Sequence, residues 1–250
     1  MKKDLTQGNV TKTMLLFAGP MILGNLLQQC YNIADTLIVG QFLGSNALAA
    51  VGSAYTLMTF LTSILIGLCM GSSSVFSFYF GQKKEEKMKN SILLSFLLIG
   101  TVTLFMTVCV FAGLDLILKL LQVPASLLSM MREYVFVIFM GIIFVFLYNY
   151  FAFLLRAIGN SVTPLWFLGS AAILNIILDL LFVIVFRWGI GGAAFATVIA
   201  QAFSGVGIGI YTWLKEPSLR PDFSKVNFHK DAVTEIIRFS FAASIQQSVM

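Results

Sequence analysis

Six long apolar runs divide this chain, at roughly 14–38, 51–80, 91–112, 134–155, 164–186 and 191–214. Each is as long as, or longer than, the ~18 apolar residues that mark a bilayer-spanning helix. The runs are continuous rather than alternating, and too long for barrel strands of ~9–11 residues. In hydrocarbon the backbone must bond to itself, and a helix does so within each span. The fold expected is therefore all-α and integral to the membrane. Only 11% of the residues are charged, against roughly 25% in soluble domains.

The first run starts after Lys2 and Lys3 but lacks a small-residue cleavage site and continues through Asp35, so it reads as a span rather than a leader. Placing the N-terminus in the cytoplasm leaves only Lys119, Arg132 and Arg187 of the 16 basic residues outside. The positive-inside rule thus orients the chain N-in, in the cytoplasmic (plasma) membrane. Bases that follow topology form no single patch, which argues against nucleic-acid binding. Cys30, Cys69 and Cys109 match no metal spacing and read as small packing residues. A single histidine, His229, excludes Ser/His/Asp chemistry, and no phosphate-cradling loop is present, so no enzyme is expected. No cofactor is expected either, and any energy source is an ion gradient or a partner.

The segment 215–231 is polar, with Pro217 and Pro221, and reads as a cytoplasmic linker. Apolar character returns at Ala232 and runs to Met250. The phenylalanines of Leu16–Leu23 and Arg238–Ile245 align, and both pieces enter from the same side. This suggests a parallel repeat. The organisation expected is a six-helix lobe over 1–214, the linker 215–231, and the truncated start of a second lobe, helix seven, over 232–250.

Two carboxylates, Asp35 and Asp179, lie deep inside apolar runs, while the other nine acids fall in termini, loops or first turns. A charge at that depth costs at least ~2.5–3.5 kcal/mol, so it marks function by default. Helical spacing sets Asn175 and Asp179 on one face, and Gln28, Tyr31, Asn32 and Asp35 on another. At ~1.5 Å per residue, Asp35, Asp179 and Thr197 share the outer half of the lobe, with Asn175 one turn deeper. Carboxylate, amide carbonyl and hydroxyl oxygens suit a hard cation such as sodium. A proton on a buried carboxylate is the alternative. Gln28, Tyr31, Asn32 and Asn149 are candidates for a neighbouring cavity. Glycines at 189, 191 and 192, and at 205, 207 and 209, are expected to bring helices together. Gly24 and Pro20 are candidates for a bend. The segment 113–131 reads as an outer interfacial loop.

The run Gln28-Gln-Cys-Tyr-Asn-Ile-Ala-Asp-Thr-Leu-Ile-Val-Gly40, followed by Leu48-Ala-Ala-Val-Gly52, resembles the first helix and loop of the multidrug and toxic compound extrusion (MATE) family. Arg156-Ala-Ile-Gly-Asn-Ser-Val-Thr-Pro164 resembles its fourth inner loop. Asn175-Ile-Ile-Leu-Asp179 and Gly189-Ile-Gly-Gly-Ala-Ala-Phe-Ala-Thr197 resemble its fifth and sixth helices. The resemblance covers nearly the whole chain. It implies a bacterial secondary antiporter of two six-helix lobes that exports cationic or amphipathic drugs in exchange for sodium or protons. It also implies that Asp35, Asn175, Asp179 and Thr197 form the ion or proton site, near Asn149 and Gln28. Leu180 departs from the family, where many relatives have proline. The chain is expected to need a missing C-terminal lobe for transport.

Two other readings compete. A lipid-linked saccharide flippase shares the architecture but would want a cationic cavity, and no arginine or lysine stands at mid-span. A non-transporting fragment, or a half that pairs with another chain, would fit the abrupt end; a dangling seventh span argues against self-pairing.

Overall fold

A computed structural model describes residues 10–221 and 230–249. Lys2, Lys3 and residues 222–229 of the linker, His229 among them, lie outside the described residues. Eight α-helices follow one another: α1 (Val10–Leu43), α2 (Ser45–Gly81), α3 (Glu85–Leu120), α4 (Ala125–Met140), α5 (Ile142–Ala157), α6 (Val162–Asp179), α7 (Gly189–Lys215) and α8 (Lys230–Val249). A π-helical segment, Leu180–Val185, extends α6, and a 3-10 turn, Pro217–Leu219, follows α7.

Among the described residues four helices are long and apolar enough to cross a bilayer alone: α2, α3, α6 with its π extension, and α7. The fourth run is two helices, α4 and α5, bent by 45° at Gly141, which together make a fifth. The break is tightly packed: a Cβ on Gly141 would sit 2.7 Å from Val198 Cγ2 of α7. The first run lies within α1, whose 34 residues exceed a span in length but are diluted by Gln28, Gln29, Asn32 and Asp35. α1 continues as one helix through Pro20. The clear break in a span falls at Gly141 instead. The expected outer loop 113–131 is mostly helix: α3 reaches Leu120 and α4 begins at Ala125.

Large apolar side chains cover the outside of the bundle, among them Phe105, Leu120, Trp166 and Ile173. In water such a surface would aggregate; around a bundle of long apolar helices it is the lipid-facing belt. Together with the family likeness below, it makes this a multi-pass membrane protein. Polar groups turn inward, with Ser72, Ser95, Thr103 and Asp179 fully buried. Tyr150 anchors the core: its hydroxyl meets Ser95 Oγ at 2.9 Å and donates to the Ile92 carbonyl at 2.5 Å. Phe76, Phe96, Phe146 and Phe151 surround its ring.

Small residues set the closest helix contacts, as helices in lipid require. A Cβ on Gly205 of α7 would stand 2.5 Å from the Phe144 carbonyl of α5. The segment expected to begin a seventh span does not dangle. α8 lies along α2, where a Cβ on Gly67 or Gly71 would strike the α8 backbone at 2.3 or 2.4 Å. Serines line this contact. Ser240 and Ser72 hydroxyls meet at 3.0 Å, and Ser240 and Ser244 also bond to the carbonyls of Leu68 and Ile64, both at 3.1 Å. Ser63 and Ser248 close the series at 3.3 Å. At the other end Tyr79 donates to Glu235 Oε2 at 2.5 Å.

Candidate ion site and lobe cavity

Local sequence positions α6 from both ends. Gly159, at φ 85°, turns the chain out of α5, a conformation that glycine adopts without steric penalty. Asn160 Oδ1 accepts the Thr163 backbone N–H at 3.1 Å, capping the new helix. Pro164 sits in the first turn, where a missing N–H removes no helical bond. At the far end the helix widens into the π segment directly after Asp179. The widening occurs with Leu180 in place, so the local departure from α geometry does not need the proline found in relatives. Phe182 stacks on Trp188 with ring centres 4.8 Å apart, and Phe186 lies 5.9 Å from Phe182. These three rings pack together beyond the carboxylate. Gly189, at φ 64°, then reverses the chain into α7.

The four residues expected to form the ion site do converge. Asp35, Asn175, Asp179 and Thr197 are 8%, 1%, 0% and 4% exposed. They come from α1, α6 and α7. The two carboxyls lie within electrostatic reach of one another. Neither oxygen of Asp179, nor Asp35 Oδ1, nor Asn175 Oδ1 meets a hydroxyl or amide donor. Asn175 Nδ2 donates to Thr197 Oγ1 at 3.4 Å, and Thr197 donates to the Ala193 carbonyl at 3.1 Å. The site is thus a buried cluster of acceptor oxygens that includes two carboxyl groups. Oxygen donors of this kind fit a hard monovalent cation, and a shared proton answers the same repulsion. Among the described residues no group of three or more His, Cys, Asp or Glu side chains could hold a metal ion. A cation here would therefore rely on the amide and hydroxyl as well.

Sequence reasoning missed Tyr134. Its buried phenol, on α4, lies within electrostatic reach of Asp35, Tyr31 and Asp179. Tyr31 lies against Thr197 and beside Asp35.

A cavity of about 300 Å³ adjoins the site, walled by α1, α2, α5, α6, α7 and α8. Gln28, Tyr31 and Asn149 line it as expected, with Asn175 and Thr197 forming the wall shared with the acids. Asn149 also donates to its own Val145 carbonyl at 2.8 Å. Asn32 does not reach the cavity; it donates to Gln29 Oε1 at 3.2 Å instead. At ~100° per residue Asn32 is turned to one side of the stripe that carries Gln28, Tyr31 and Asp35. Two further polar residues, Gln201 and Arg156, line the cavity. Arg156, expected on the cytoplasmic side, stands in the last turn of α5 and lines the cavity.

The chain is similar to known proteins in sequence and in fold. The family MatE matches residues 20–181. The chain is 36% identical over 201 residues to a probable multidrug resistance protein, YpnP, of Bacillus subtilis, covering 80% of this chain and 45% of that protein. It is 28% identical to the multidrug export protein MepA of Staphylococcus saprophyticus, over 98% of this chain and 54% of that one. A solved structure described as the outward-facing conformation of a multidrug resistance MATE family transporter superposes with a TM-score of 0.90. It shares 23% identity, with 96% of this chain and 53% of that one covered. The chain spans about half the length of the relatives it matches. With the family model spanning most of the chain, and the fold matching in the same order, the protein belongs to the MatE family of multidrug and toxic compound extrusion transporters.

Proposed function

We propose that this chain is the N-terminal lobe of a secondary multidrug efflux antiporter in the cytoplasmic membrane, with its N-terminus inside. It exports cationic or amphipathic compounds in exchange for sodium or protons. Residues 1–214 form the lobe, 215–231 the inter-lobe linker, and 232–250 the start of a second lobe that completes the transport path.

One observation carries this reading: two carboxylates, an amide oxygen and a hydroxyl are gathered out of solvent with most of their acceptor oxygens lacking donors. An uncompensated pair of buried charges is costly, so an arriving cation or proton has large leverage on the fold around it. A ligand shifts a conformational equilibrium only through unequal affinity for its states. Filling Asp35 and Asp179 in one state therefore biases the adjoining cavity, and the drug in that cavity biases the acids by the same factor. The test is dye efflux from cells expressing the two-lobed transporter that contains this lobe. Asp179→Asn is expected to abolish efflux while leaving the protein in the membrane; unchanged efflux would refute the assignment.

A further inference from the structure

The cavity beside the ion site carries a polarity of its own. Six amides line it: Asn25, Gln28, Asn149, Asn175, Gln201 and Gln247. Amides both donate and accept, so they are indifferent to the sign of a ligand's charge. Neither Asp35 nor Asp179 lines it; the one charged lining residue is Arg156. Its guanidinium lies 5.1 Å from the centre of the Phe153 ring, and its Nε is buried without an acceptor. Among the described residues no carboxylate pairs with it. Gln201 Oε1, one turn along α7 from Thr197, is buried without a donor. Arg156 precedes α6 and Asp179 ends it, so the backbone positions of the two are apart by about the length of α6, roughly 25 Å at ~1.5 Å per residue.

We infer that this cavity takes the oxyanion of an amphipathic substrate, a carboxylate or phosphate, on Arg156, with an N–H group of the same molecule on Gln201. The inference rests on the efflux reading and deepens it: the acids serve the coupling ion, and among amphipathic substrates those that carry an anionic group are preferred. A guanidinium is the side chain best matched to such an anion, because its fork binds two oxygens at once. A buried guanidinium N–H without an acceptor and a buried amide oxygen without a donor are each unfavourable alone, and one ligand carrying both groups satisfies both.

The experiment compares two dyes on one scaffold, rhodamine 110, which has a free carboxylate, and rhodamine 123, its methyl ester. Their binding to the full chain in lipid nanodiscs is read by fluorescence anisotropy. Rhodamine 110 is expected to bind about 10-fold more tightly, the difference worth one charge-assisted contact. Arg156→Gln is expected to erase that preference and Arg156→Lys to keep part of it. On the unaltered chain, benzoate or phenyl phosphate should displace bound rhodamine 110 and benzylammonium should not. The stronger of the two anions identifies the carboxylate or the phosphate as the group preferred. Equal binding of the dyes, or displacement by benzylammonium alone, overturns the inference and leaves the efflux reading intact. Failure of both dyes to bind also overturns the inference, while the efflux reading stands or falls on dye export by the two-lobed transporter.

Discussion

Asn175 on α6 and Thr197 on α7 are tied by a 3.4 Å hydrogen bond in which the amide is the donor. The bond fixes which way the amide points: Nδ2 faces Thr197, and Oδ1 is left without a donor. Thr197→Val keeps the shape and removes this acceptor. It is expected to weaken sodium binding about 10-fold, the order of one lost charge-assisted contact, with Thr197→Ser near the unaltered value. Sodium titration followed by intrinsic tryptophan fluorescence checks this, and equal affinities for Val and Thr would contradict it.

Asp179→Asn is expected to raise the thermal stability of the ion-free chain, since it removes one of two like charges held out of water. A gain of about 1 kcal/mol would raise Tm by roughly 2–4 °C. The same substitution should abolish stabilisation by added sodium. Melting curves with and without sodium measure both effects; a lower Tm for the variant would show that the pair is not repulsive as built.

The α2–α8 contact depends on the lack of a side chain at Gly67 and Gly71. With the native cysteines replaced, Ser72→Cys and Ser240→Cys should cross-link readily, since their hydroxyls stand 3.0 Å apart. Adding Gly67→Val is expected to abolish the cross-link, because no rotamer relieves a clash with backbone. Gel mobility with and without reductant reports the outcome, and an undiminished cross-link would count against the packing.

Tyr150→Phe removes the hydroxyl but leaves Ser95 its own bond to the Ile92 carbonyl at 3.1 Å. The expected loss is about 1 kcal/mol. Tyr150→Ala also empties the centre of the aromatic cluster and should cost about 3–5 kcal/mol. Thermal or denaturant melts that rank the two variants equally would show that the ring contributes little.

Much of this was legible beforehand, for physical reasons that can be named. A carboxylate in an apolar run is visible as an anomaly, and counting turns from Pro164 to Asp179 and from Gly191 to Thr197 gave their shared depth. Tyr134 was missed because apolar character alone set the start of its span, whereas α4 begins at Ala125, roughly 13 Å earlier at ~1.5 Å per residue. The same error turned helical residues 113–120 and 125–131 into a loop. The cavity-lining role of Arg156 was missed because a charge count assigns each base to a side of the membrane and says nothing about where a long side chain reaches. Gln201 carried no warning at all: a single amide in an apolar helix acquires meaning only when its neighbours on other helices are known. The π segment after Asp179 was equally silent, because nothing in Leu180–Val185 breaks a helical pattern.

The serine seam between α2 and α8 has one more consequence. An interface closed by leucines leaves a greasy scar when it parts, and water resists filling the gap. Hydroxyls have somewhere else to go. Ser248 already turns back to the Ser244 carbonyl of its own helix at 2.8 Å, and Ser63 to that of Phe60 at 2.7 Å. The two helices can therefore unfasten like a zip, each tooth folding onto its own tape, and water entering behind them finds a surface it can wet.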